Sequence, residues 1–155
     1  MDNQFVWDDG VFLNQQSDYR NSESLLSVFE KSFSISADYY RPLALLSFVV
    51  QYRLDVAETW QLHLINLVIH LANVVLVFGV SFFAFTRNRL AGNSYLFSLV
   101  VTSCYAFHPA LIEAVSWLSG RFDLMFAFFG LLTLLSDQVF LNNNRVRFVS
   151  VFVFS

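Results

Sequence analysis

Two adjacent carboxylates, Asp8 and Asp9, sit in the run Phe5-Val6-Trp7-Asp8-Asp9-Gly10-Val11-Phe12. Apolar flanks disfavour the charged form of a carboxyl group, and a like charge beside it does so again for one of the pair. Such a pair suits a general base or the ligand set of a divalent metal. The same residues also make an ordinary solvated turn, because Asp-Asp-Gly is turn chemistry. A second dense stretch, HPALIEAVSWLSGRFD, sets His108, Glu113, Arg121 and Asp123 within 16 residues. The Arg121 guanidinium offers a two-pronged fork for a phosphate, or else pairs with Asp123 at a helix end. Arg41, just ahead of Pro42 and an apolar run, either reads a lipid phosphate or marks the membrane interface. His63, Asn66, His70 and Asn73 recur at spacings of three, four and three, which is one stripe of a helix. In a membrane span such a stripe bonds to neighbouring helices, while His63, at its end, is placed to reach a substrate.

Other chemistries leave no trace. There is no glycine-rich phosphate loop, no Ser-His-Asp order and no zinc motif. A single cysteine, Cys104, removes any intrachain disulfide and any cysteine-based metal cluster. Haem ligation by two of the three histidines is a further reading, and it would make the chain an electron-transfer protein.

The elements that must hold these groups follow from composition. Of 155 residues, 56% are apolar and 14% charged, against about 25% charged in soluble domains. A net charge of −3 without a basic stripe excludes a nucleic-acid binder, and the apolar content excludes disorder. The class that remains is an all-α integral membrane protein. Nine of the twelve acids fall in residues 1–58, so the sequence predicts an amino-terminal loop over 1–60 and a transmembrane bundle over 61–141. Spans are expected at about 62–85, 90–107 and 122–141. The first, as a helix, is roughly 36 Å long and crosses a core of about 30 Å. Residues 42–54 are apolar but too short to cross, which suggests an interfacial helix with Pro42 in its first turn.

Met1-Asp2-Asn3-Gln4 is neither basic nor followed by an apolar run, unlike a signal peptide. Residues 146–155 read as the start of a further span, so the expectation is an amino-terminal fragment of a larger polytopic protein. Arg87 with Arg89, and Arg145 with Arg147, mark two short basic connections that the positive-inside rule assigns to the cytoplasm. The loop at 1–60 and a turn at 108–121 then share the opposite, lumenal or periplasmic face. Asp8, Asp9, Arg41, His63, His108, Glu113, Arg121 and Asp123 would all gather there.

Four segments in this order, FVWDDGVFLN, YYRPLALLSF, WQLHLINLVIHLANVVLVF and FHPALIEAVSWLSGRFDLMFAFFGLL, resemble the membrane glycosyltransferases of the GT-C class. The likeness is greatest to the transmembrane and tetratricopeptide-repeat O-mannosyltransferases and their bacterial relatives, and it covers roughly residues 5–135. It implies a polytopic helical bundle in the endoplasmic reticulum membrane or a bacterial inner membrane. It also implies transfer of a sugar from a polyprenyl- or dolichyl-phosphate donor to a hydroxyl of a protein or glycan acceptor, with membrane lipids and no nucleic acid as further partners.

Under that resemblance Asp8 is the catalytic base and Asp9 its companion, and these two would hold a divalent metal if one takes part. Arg41 and Arg121 would hold the donor phosphate, with His63, His108, Glu113 and Asp123 shaping the pocket. The span expected before the Asp-Asp loop and the tetratricopeptide repeats lie outside this sequence, so the 155-residue piece is expected to be inactive alone. A non-catalytic membrane scaffold or assembly protein is the alternative reading.

Overall fold

The computed structural model describes residues 42–56, 58–88 and 93–141. Among these the regular structure is entirely helical, in five elements: α1 (Pro42–Arg53), α2 (Thr59–Asn88), α3 (Ser94–Ala106), α4 (Pro109–Ser116) and α5 (Arg121–Leu141).

Each boundary has a local cause. Proline opens α1, where its missing N–H costs nothing. The helix closes in a Schellman turn: Val56 N–H donates to Gln51 O at 3.0 Å and Asp55 N–H to Tyr52 O at 3.3 Å. Asp55 adopts the left-handed conformation that this motif needs, with φ 57°. Glu58 precedes α2, and the Gln61 side chain reaches back to accept from its N–H at 2.9 Å, one half of a capping box. The Trp60 indole N–H adds a 2.6 Å bond to the Glu58 carboxylate. Asn93 caps α3 by accepting from Leu96 N–H.

Residues 108–121, read from sequence as a turn, contain helix α4. Pro109 ends one helix and also opens the next. His108 is the cap between them, its Nδ1 accepting from Ala110 N–H at 3.3 Å and its carbonyl from Leu111 N–H at 3.0 Å. Asp123 lies in the first turn of α5, where a carboxylate favours the helix dipole.

Among the described residues two helices are long and apolar enough to cross a membrane, Thr59–Arg87 and Arg121–Val139. Helix α3 has 13 residues, about 20 Å of rise, and is too short alone. With α4 it makes a pair bent by 53°, a broken span or re-entrant loop, so by length and composition two or three spans fall among the described residues. The span expected over 90–107 is therefore shorter than its apolar run, beginning at Ser94 with residues 89–92 outside the described set. The chain is a membrane protein, and its surface agrees: Phe126, Phe107 and Val75 are 83%, 81% and 69% exposed, as suits side chains whose solvent is lipid.

The chain divides into two compact units, Met1–Leu67 with Ala114–Phe122, and Val68–Glu113 with Asp123–Ser155. In the first, Leu45, Phe48, Val49, Tyr52, Leu62, Leu118 and Phe122 are buried. In the second, Val77 and Leu124 are buried beside His70, Asn73 and Ser98. There α2 and α5 approach closely at Gly79, where an added Cβ would stand 3.2 Å from Leu135 Cδ1.

Gly120 has no room for a side chain, because a Cβ there would overlap the Ala114 carbonyl and come within 2.6 Å of its Cα. Gly130 faces open space. Gly120→Ala should therefore destabilise the protein by about 1–3 kcal/mol, since backbone must move. Gly130→Ala should leave stability unchanged or raise it by up to about 1 kcal/mol through helix propensity. Unfolding of the two variants in detergent micelles measures both.

Candidate functional site

Arg121 is the largest fully buried side chain among the described residues, at 0% exposure. Its position follows from the turn before α5, where Gly120 N–H donates to Trp117 O and Arg121 N–H to Leu118 O. From there the guanidinium enters the space between α1 and the first turns of α2. Nε donates to Asn66 Oδ1 at 2.8 Å, Nη2 to the Leu62 carbonyl at 2.9 Å, and Nη1 to Gln51 Oε1 at 2.5 Å and Ser47 Oγ at 3.3 Å. The Phe48 ring lies flat against it, 3.8 Å from centroid to Cζ, a cation–π contact in a desolvated setting.

The acceptors are themselves fixed. Asn66 Nδ2 donates to the Trp117 carbonyl at 2.8 Å, Gln51 Nε2 to Val56 O at 3.2 Å, and Ser47 Oγ to Ala44 O at 2.6 Å. Every acceptor of Arg121 among the described residues is uncharged, so the cation is solvated by dipoles. Burial pushes the nearby Tyr52 phenol above its ordinary pKa, and the positive Arg121 offsets part of that rise.

The other expected site residues lie differently. Asp8, Asp9 and Arg41 fall outside the described residues. In the first unit His63 is half-buried, stays apart from the Arg121 network, and has an enclosed Nδ1 with no partner among the described residues. In the second unit His108, Glu113 and Asp123 are exposed, and no hydrogen bond among the described residues joins them to one another. His108 is engaged as the α4 cap. Among the described residues no group of three or more His, Cys, Asp or Glu could hold a metal ion.

Sequence reasoning passed over Ser47 and Gln51. Their signal was present, as two polar residues four apart in the mostly apolar α1 share one helix face.

The chain matches curated proteins over most of its length. It is 30% identical to protein O-mannosyl-transferase TMTC3 of Homo sapiens across 139 residues, which is 85% of this chain and 14% of that protein. It is 31% identical to protein O-mannosyl-transferase TMTC2 of Mus musculus, over 84% of this chain and 16% of the relative. Mouse TMTC4 is 28% identical over 86% of this chain and 20% of its own length. The chain is a relative of the TMTC family.

As a TMTC relative it spans about 14–20% of the length of the proteins it matches. No family model and no solved structure matches the chain.

The Arg121 network of this TMTC relative makes a stability prediction. Asn66→Leu should cost about 2–4 kcal/mol, because it leaves the Arg121 Nε–H buried without its acceptor and removes the Asn66 bond to the Trp117 carbonyl. Arg121→Met should cost a similar amount through orphaned Gln51 and Asn66 acceptors. Since both act on one network, a double-mutant cycle read by unfolding in detergent should give a coupling above about 1 kcal/mol.

Proposed function

We propose that this chain belongs to a membrane glycosyltransferase that moves a mannosyl group from a polyprenyl- or dolichyl-phosphate donor to an acceptor hydroxyl on a protein. The observation that carries the reading is the 30% identity to a protein named an O-mannosyl-transferase across 85% of the chain. The helices long enough to cross a membrane agree with a lipid-linked donor.

In this reading Asp8 removes the acceptor hydroxyl proton as its oxygen attacks the anomeric carbon, and Asp9 is the second member of the pair. The phosphate leaves from the opposite side, with inversion. Arg41 stabilises its growing charge, while Arg121, already engaged by Asn66, Gln51, Ser47 and Leu62, keeps the first unit in shape. The exposed His108, Glu113 and Asp123 and the half-buried His63 are the remaining candidates for the donor pocket. Transfer takes place on the lumenal or periplasmic face, following the basic connections at Arg87 and Arg145.

The test is Asp8→Asn in the full-length protein, assayed in membranes for sugar transfer from a lipid-phosphate donor. Loss of transfer by about 100-fold or more, with normal insertion, is the expected result for a general base. Unchanged transfer would remove Asp8 from the chemistry. Absence of any transfer by the wild-type protein would favour a membrane scaffold.

A further inference from the structure

The second unit holds polar groups that the proposed transfer does not use. His70 and Asn73 are 7% and 0% exposed on α2. His70 Nε2 faces the Ala106 carbonyl at 3.4 Å, and Asn73 Nδ2 donates to Leu124 O at 3.0 Å. Each spends its donor on backbone and leaves an acceptor behind. His70 Nδ1 and Asn73 Oδ1 are fully enclosed and have no hydrogen-bond partner among the described residues. Across from them, the Thr102 and Tyr105 hydroxyls on α3 are in the same condition.

The four groups lie together. Tyr105 stacks on His70, with centroids 5.8 Å apart and planes 20° from parallel. Helices α2 and α3 run antiparallel here, as the Phe78–Tyr95 contact further along also shows. That register sets Thr102 level with Asn73. Thr102 and Tyr105 are three apart and share a helix face.

We propose that His70, Asn73, Thr102 and Tyr105 form a hydration site that holds a water molecule between α2 and α3. With Nε2 carrying the His70 proton, the site presents two acceptors, His70 Nδ1 and Asn73 Oδ1, and two hydroxyls that donate. Water donates two hydrogen bonds and accepts two, so one molecule matches all four groups. Unpartnered polar groups inside an apolar helix pair are costly, and buried waters typically make about three bonds to such groups. The site also lies beside the Ala106 carbonyl, where α3 breaks before α4. Freed backbone groups in broken membrane helices are commonly satisfied by side chains and ordered water.

The experiment is water-edited solid-state NMR on the uniformly nitrogen-15-labelled chain in lipid bilayers. His63→Gln and His108→Gln variants assign the His70 signal. Magnetisation should pass from water to the His70 ring several-fold faster than to the adjacent Ile69 and Leu71 amides. The transfer should be lost in a Thr102→Val/Tyr105→Phe double variant that keeps its helical circular dichroism. No water transfer to His70 in the wild-type chain, or transfer unchanged in the double variant, would overturn the site. The readout needs no sugar transfer, so it stands apart from the proposed activity.

Discussion

A positive charge without a carboxylate partner among the described residues governs the first unit. Burying a guanidinium is expensive, and the cost is met only when its N–H groups find acceptors of good geometry. Arg121 finds Asn66, Gln51, Ser47 and the Leu62 carbonyl, and a ring face on Phe48. These come from α1 and from the first turns of α2, while Arg121 itself opens α5. Moving any of them strands part of the charge. The arrangement therefore fixes three elements that apolar contacts alone, non-directional by nature, would leave free to slide.

The same economy recurs along α2, where polar side chains bond to backbone. Asn66 donates to the Trp117 carbonyl, Asn73 to Leu124 and His70 approaches Ala106. The Trp117 and Ala106 carbonyls lie at or next to helix ends, where carbonyls lack intrahelical partners. The most buried positions of α2 thus include its polar ones, while Leu64, Leu67, Val68, Leu71 and Val75 face outward. Lipid makes this pattern favourable, because apolar side chains gain nothing by leaving it.

Much of this was legible in the sequence, and the reasons are local. Long uncharged runs announce helices of membrane length, and the stripe of Asn66, His70 and Asn73 announces a bonded face. Pro109 misled, because a proline marks the end of one helix and the first turn of the next with equal ease; only the His108 cap shows that α4 follows. Arg121 invited a phosphate-reading role from residue type, whereas its acceptors Ser47 and Gln51 lie 74 and 70 residues away in sequence. No spacing rule connects positions that far apart. Asp8, Asp9 and Arg41 lie outside the described residues, so their part in the account rests on the likeness to the TMTC proteins.

The central claim is that Arg121 is committed to holding the first unit together. Phenylglyoxal, which modifies accessible guanidinium groups, tests it directly when applied to the folded protein in membranes and read by mass spectrometry. The account predicts that exposed Arg87 is modified while Arg121 stays unmodified, with or without a lipid-phosphate sugar present. Modification of Arg121 in the folded protein, suppressed by adding the lipid phosphate, would contradict it and return the residue to the donor site.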